Sequence, residues 1–145
     1  MDENKELLEY IYQNIDMGIK ALNNLINAIN DKDNKIKKII EGEIKGYENY
    51  LKECKKIMKK YKIEPKSKGI MADIGNYLGT KMEMMKDNSD ARIADMLTKG
   101  FTMGVVDITK RIDNYKGDAD KDILNLAKKL LKFSEENIDF LKPYL

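Results

Sequence analysis

The chain has 145 residues, enough for one domain with a sizeable core, and its 27 basic and 25 acidic residues leave a formal net charge of +2. This balance does not predict a polyanionic partner such as nucleic acid. Histidine is absent, which excludes Ser-His and Cys-His catalysis and imidazole metal ligands. We therefore expect a single domain over residues 1–145 that carries no cofactor and no His-bound metal.

Three features of the sequence bear on location. Cys54 is the only cysteine and cannot form an intramolecular disulfide, and the acidic start MDENKELLEY does not resemble a signal peptide. The longest uncharged stretch, Ala21–Asn30, is too short and too polar to span a bilayer. We expect a cytoplasmic protein that does not bind a membrane.

Apolar residues recur at helical spacing along most of the chain, and turn signals divide them into five predicted helices. The first helix spans about Asn4–Asn30. The second extends from an N-cap at Asp33 to about Tyr61, with an apolar stripe at alternating spacings of four and three residues. Pro65 ends this helix, because the residue before a proline is disfavoured in helical conformation.

A shorter third helix is predicted over about Lys68–Lys86. The fourth begins after the turn DNSD, which supplies N-caps, and extends to about Tyr115. The fifth begins near 118–120 and ends before Pro143. Four long helices and one short helix predict an all-α bundle.

Glycines occur in an unusual pattern within the predicted helices. Three pairs have a spacing of four residues: Gly42/Gly46, Gly75/Gly79 and Gly100/Gly104. Each glycine inside a helix costs about 0.5–1 kcal/mol relative to alanine, so these pairs require a compensating gain.

Two of these pairs differ in the face that they are predicted to occupy. Gly100 and Gly104 fall within the apolar stripe of the fourth helix, which favours close approach of another helix. Gly42 and Gly46 fall off the stripe of the second helix, which favours a contact between subunits. Backbone cleared for a small ligand is the alternative for either pair.

The helix order resembles that of the ferritin-like bundles. If the short third helix is a crossover that returns the chain along the bundle, the four long helices are ordered up, down, down, up. The chain also resembles a small bacterial family of such bundles, uncharacterised in function, with KGFTMGVVDITKRI (residues 99–112) as its most distinctive part.

The ferritin-like resemblance implies a di-iron centre, which the residues do not support. Such centres take a Glu from each of two helices and Glu-x-x-His from each of the other two. Here the first helix has no carboxylate on its apolar face, and Gly46 stands where a His would follow Glu43. We therefore expect no ferritin-type di-iron centre.

Glu43 nevertheless falls inside the apolar stripe, where an unpaired carboxylate is costly. Arg111 lies on the apolar side of the fourth helix, one turn after Asp107. We predict a structural ion pair of Arg111 with Glu43 or Asp107, which would fix helix register more than it adds stability. A divalent metal held by carboxylates is the alternative.

Two further clusters have simple interpretations. The lysines between residues 52 and 68 favour a solvated helix face, because no arginine or aromatic residue interleaves with them on that face. The methionines of KMEMM, with Met82 and Met85, favour packing, then an adaptable partner surface or apolar-ligand site, then Cu(I) binding.

These observations favour a non-catalytic bundle that acts by association, as a homodimer or by binding another protein. The predicted interface residues are Gly42, Gly46, Met82 and Met85. The alternative is a small-ligand or carboxylate metal site between the second and fourth helices, for which the candidate residues are Glu43, Gly100, Gly104, Asp107 and Arg111.

Overall fold

A computed structural model describes residues 2–65 and 87–145, which contain helices and no strands. The elements are, in chain order, α1 (Glu3–Ala28), α2 (Lys37–Lys60), α3 (Asp90–Tyr115), α4 (Lys121–Leu141) and a short 3₁₀ helix (Lys142–Tyr144). This confirms the predicted all-α fold with four long helices. The predicted third helix at 68–86 lies outside the described residues, together with Gly75, Gly79, Met82 and Met85.

Local signals account for most of the helix boundaries. The side chain of Ser89 caps α3 by accepting a hydrogen bond from the Arg92 backbone at 3.3 Å, which confirms the caps predicted in DNSD. Asp120 is the N-cap residue of α4, and α4 ends at Leu141, before Pro143.

The predicted cap at Asp33 is wrong. The N-cap residue of α2 is Ile36, which has no side chain able to accept a hydrogen bond. Asp90, from the first turn of α3, instead accepts bonds from the backbone N–H groups of Lys35 at 3.2 Å and Ile36 at 3.4 Å. A carboxylate distant in sequence therefore stabilises the start of α2, where the helix dipole also favours negative charge.

The core consists of one apolar face from each helix. On α1 the buried stripe includes Leu8, Ile11, Ile15, Gly18, Leu22 and Leu25. On α2 the buried residues are Ile40, Glu43, Tyr47, Cys54 and Met58. The most extensive contacts join α1 to α2 and α3 to α4.

Side-chain contacts show which helix ends lie together. At one end of the bundle, Glu6 near the start of α1 accepts a hydrogen bond from Tyr115 at the end of α3 (2.7 Å). Tyr61, just after α2, donates to Asp120 and Asp122 at the start of α4 (2.6 and 2.9 Å). At the other end, the loop before α2 contacts the first residue of α3.

The ring of Tyr47 lies at the centre of the bundle, where it contacts three helices. It packs edge-on to Phe133 of α4, with centroids 4.9 Å apart, and stacks with Phe101 of α3 at 6.3 Å. On α1 it lies against Gly18, where an added Cβ would be 2.7 Å from ring carbons of Tyr47. Only glycine at position 18 leaves room for this ring.

The expectation that Gly42 and Gly46 both face away from the core is wrong for Gly46. An added Cβ at Gly46 would overlap the ring of Phe133, so this glycine allows α4 to approach α2 within the chain. Gly42 is exposed, and a Cβ there would meet no atom within 4 Å.

The expectation of close helix packing at Gly100 and Gly104 is also wrong. A Cβ at either position would have no neighbour within 4 Å, and Gly100 is exposed. The periodicity placed both glycines on the apolar side of the helix, but in the described residues no neighbouring helix packs closely against that part of α3.

Within the described residues, no helix combines the length and the apolar character needed to cross a bilayer.

The packing predicts opposite effects for two Gly→Ala substitutions. Gly18→Ala should destabilise the protein by about 1–3 kcal/mol, because the Tyr47 ring is enclosed and cannot move away from the new methyl group. Gly100→Ala should stabilise it by about 0.5–1 kcal/mol, because it gains helix propensity without a clash. Urea unfolding of the two variants measures both effects, and a Gly18→Ala variant at least as stable as wild type would contradict the close contact.

Candidate functional site

The predicted site residues do not form one site. Glu43 lies one turn before Tyr47, and Leu97 lies one turn before Phe101, whose ring stacks on Tyr47. The helices α2 and α3 begin at the same end of the bundle. Glu43 and Leu97, each one turn before a ring of the stacked pair, therefore lie at the same height along the bundle axis. Arg111 follows Leu97 by fourteen residues of helix, a distance of about 21 Å along the axis. A direct contact between Glu43 and Arg111 is therefore excluded.

Arg111 instead belongs to a cluster between α3 and the first half of α1. Its guanidinium lies over the ring of Tyr10, 4.4 Å from the centroid, and Tyr10 donates a 2.5 Å hydrogen bond to Asp107. Burial and the bond to Asp107 raise the pKa of Tyr10, so its hydroxyl stays protonated at neutral pH. Each of these three groups is engaged with another member of the cluster.

The predicted ion pair of Arg111 with Glu43 or Asp107 is wrong. The ion pairs among the described residues do not include Arg111. The Tyr10 ring provides a cation–π contact for the guanidinium and a hydrogen-bond donor for Asp107, and together these replace the ion pair.

Glu43 is the most unusual residue of the core. It is 2% exposed, and neither carboxyl oxygen has a hydrogen-bond partner among the described residues. Burial raises its pKa from the ordinary value of 4.5 to about 8. The carboxyl is therefore mainly protonated at neutral pH, which avoids most of the cost of a buried charge.

Two other buried polar atoms without partners lie near the level of Glu43. The side-chain nitrogen of Asn137 on α4, a residue 3% exposed, has no hydrogen-bond partner, and the same holds for the hydroxyl oxygen of Thr98 on α3. Asn137 lies one turn after Phe133, and α4 is antiparallel to α2, as the contacts of Phe133 and of Tyr61 with α4 show. Asn137 and Glu43 therefore lie at about the same height along the bundle, although neither is a hydrogen-bond partner of the other. We call Glu43, Thr98 and Asn137 the polar layer.

An open apolar groove lies between α1 and α3, beside the polar layer. Its lining residues are Met17, Gly18, Ala21, Leu22, Leu25, Tyr47, Met96, Leu97, Gly100 and Phe101. The cavity volume is about 90 Å³, well below the roughly 300–1,000 Å³ of typical small-molecule sites. The size and apolar lining favour contact with a protein surface over enclosure of a small ligand.

The single thiol is not available for chemistry. Cys54 is completely buried, and burial raises the pKa of its thiol to about 12, so the nucleophilic thiolate is not populated at neutral pH.

The acidic side chains do not form a metal-binding group among the residues that the structure describes. In residues 2–65 and 87–145, no three His, Cys, Asp or Glu side chains form a group that would hold a metal ion. Lys52, Lys55, Lys56 and Lys59 are exposed on α2, consistent with the solvated face predicted for the lysine run.

Sequence reasoning missed Gly18, Tyr10 and Asn137 as residues of interest. Gly18 stands among bulky apolar residues at helical spacing, and a glycine in such a stripe is a usable signal for a large facing side chain. Asn137 has no comparable signal, because its importance depends on which residue of α2 faces it.

Comparisons with protein-family models, with curated proteins and with solved structures find no match to this chain.

The burial of Glu43 predicts a pH dependence of stability. Because its pKa is raised in the folded state, the folded protein retains a proton that the unfolded chain has lost above about pH 4.5. Stability should fall as the pH rises from about 5 to about 8, by roughly 3–5 kcal/mol in total from this group, and should level off above that range.

Glu43→Gln should remove this contribution, while Glu48→Gln, at an exposed position of the same helix, should retain it. Urea unfolding between pH 5 and pH 9 measures the three slopes. Parallel curves for wild type and Glu43→Gln would show that Glu43 ionises normally.

Proposed function

We propose that this chain is a non-catalytic helical bundle that acts by association, and that the groove between α1 and α3 is its contact surface. The observation that carries the proposal is an apolar groove that remains open between two helices of the bundle. Tyr47 and Phe101 supply aromatic surface to it, and aromatic residues are enriched in protein interfaces. A second copy of the chain is the simplest partner, so we propose a homodimer.

The outer surface of α3 supports this choice of surface. Met103 is 73% exposed and Val106 is 50% exposed. At about 100° per residue, Met103 lies about 60° around α3 from Gly100 and adds apolar surface at the edge of the groove, whereas Val106 lies about 120° away. Contiguous exposed apolar side chains are typical of association surfaces.

The state of the reactive groups also supports a non-catalytic role. The Cys54 thiol is buried with a raised pKa, and Tyr10, Asp107 and Arg111 are engaged with one another. With no histidine in the sequence, general acid–base chemistry would depend on other groups. Glu43 has a suitable pKa but is enclosed by the core.

We further propose the up-down-down-up helix order, and with it a likeness to ferritin-like bundles in topology alone. The contacts of Glu6 with Tyr115, and of Tyr61 with the start of α4, are those that this order requires. Residues 66–86 would then connect opposite ends of the bundle, as a crossover does.

The α2 surface around Gly42 is the competing contact surface. Gly46 is half-buried beneath the ring of Phe133, whereas Gly42 is exposed with open space around it. The two glycines Gly42 and Gly100 thus form a matched pair, because both are exposed helical positions at which a side chain meets no atom of the chain within 4 Å of its Cβ.

Substitution of leucine at these two positions tests the proposal. Gly100→Leu places a side chain at the groove and should raise the Kd of the dimer by at least about tenfold. This change corresponds to ~1.4 kcal/mol of binding free energy. Gly42→Leu should leave the dimer intact. Light scattering coupled to size-exclusion chromatography over a concentration series measures the mass of each variant.

Three results of this experiment would be informative. A wild-type mass equal to one chain at all concentrations would exclude the homodimer. Dissociation by Gly42→Leu but not by Gly100→Leu would assign the interface to α2. Retention of the dimer in both variants would exclude both surfaces.

A further inference from the structure

A second cavity lies between α2 and α4, and no residue lines both this cavity and the groove between α1 and α3. Its volume is about 590 Å³, within the roughly 300–1,000 Å³ of typical small-molecule sites. Its lining includes the rings of Tyr50 and Phe133 together with four charged side chains. We call it the α2–α4 cavity, and the proposed association does not use it.

Packing holds the aromatic part of this lining in place. The ring of Phe133 occupies the space that a Cβ at Gly46 would fill. The same ring packs edge-on to Tyr47, with centroids 4.9 Å apart, and to Tyr50 at 5.2 Å. Burial, and after it the carboxylate of Glu136, raise the pKa of Tyr50, so its hydroxyl stays neutral at pH 7. The aromatic surface is therefore uncharged and formed before any ligand binds, which reduces the entropic cost of binding.

The four charged side chains consist of a closed pair and an open pair. Lys129 and Glu53 form an ion pair at 2.8 Å, so each neutralises the other. Lys132 and Glu136 also line the cavity, and neither forms an ion pair with any residue that the structure describes. These two residues lie one turn apart on α4, which separates their Cβ atoms by about 5–6 Å. The cavity therefore offers one ammonium group and one carboxylate for a ligand.

An α-amino acid is complementary to this arrangement of charges. Its ammonium and carboxylate groups are attached to the same carbon atom, so they are close enough to reach two side chains that lie one helical turn apart. The ligand ammonium complements Glu136 and the ligand carboxylate complements Lys132, each through a charge-assisted hydrogen bond. An aromatic side chain complements the rings of Tyr50 and Phe133, because edge-on and offset contacts between rings are favourable.

We propose that the α2–α4 cavity binds a free α-amino acid with an aromatic side chain, through Lys132, Glu136 and the rings of Tyr50 and Phe133. The ligand is bound without covalent change, so this is a recognition site and not a catalytic one. The proposal does not depend on the proposed dimer, because the cavity and the groove have no lining residue in common.

Titration of the full chain with L-phenylalanine, followed by amide proton–nitrogen NMR, tests the proposal. The Gly46 amide signal should shift and saturate with a Kd on the order of 1 mM or tighter, because Gly46 lines the cavity. The Gly100 amide, at the groove between α1 and α3, should not shift. Absence of a saturable shift at Gly46 would overturn the proposal, as would a larger shift at Gly100, which would place the ligand in the groove.

Three analogues of phenylalanine test the proposed ligand class. Phenethylamine lacks the carboxylate, hydrocinnamate lacks the ammonium group, and glycine lacks the aromatic side chain. Each should bind at least about threefold more weakly than phenylalanine, because each loses one of the three interactions. An analogue that binds as tightly as phenylalanine would overturn the assignment of the ligand.

Four variants on α4 test the two charged residues. Lys132→Gln and Glu136→Gln should each raise the Kd for phenylalanine by at least about threefold. Lys128→Gln and Glu135→Gln remove charges from neighbouring positions that do not line the cavity, and should leave the Kd unchanged. All four positions are exposed, so folding should be retained. The same Kd in all four variants would overturn the proposal.

Discussion

The packing of the Tyr47 ring against Gly18 is the contact on which the rest of this bundle depends. The ring occupies the space that a side chain at position 18 would fill, and there it also meets Phe101 of α3 and Phe133 of α4. One aromatic residue of α2 thus contacts each of the other three described long helices. Because protein interiors are close-packed, a small displacement of this ring would disturb all of these contacts.

The two features with functional interest lie next to this ring. Tyr47 lines the apolar groove between α1 and α3, and Glu43 lies one turn earlier on the same face of α2. Burial, and after it the charge on Glu43, raise the pKa of Tyr47. The Tyr47 ring therefore lies beside both the groove and the polar layer.

The sequence predicted the helical elements well because their signals are local. Apolar periodicity and the Ser89 cap act within a few residues, and helices start directly after Ser89 and Asp120. The start of α2 was mispredicted because its stabilising carboxylate, Asp90, comes from a helix more than fifty residues away in sequence. Periodicity identifies the helix face on which a residue lies but not the helix that packs against that face.

The same limitation explains the outcome for the candidate site. Periodicity correctly identified Glu43 as buried, but the proposed partner Arg111 lies too far along the bundle and contacts Tyr10 instead. Gly46 was expected at the surface but allows close packing of α4, and Gly100 was expected against another helix but has no neighbour within 4 Å of an added Cβ. These assignments depend on the relative register of the helices, which no local sequence pattern specifies.

A double-mutant cycle between positions 18 and 47 tests the central contact most directly. Free energies of unfolding are measured for wild type, Gly18→Ala, Tyr47→Leu and the double variant. If the Tyr47 ring occupies the space at Gly18, the substitution Gly18→Ala should destabilise the wild-type background but become neutral or stabilising by up to about 1 kcal/mol in the Tyr47→Leu background, where only the gain in helix propensity remains. An equal cost of Gly18→Ala in both backgrounds would contradict the account, because the cost would then have a source other than the ring.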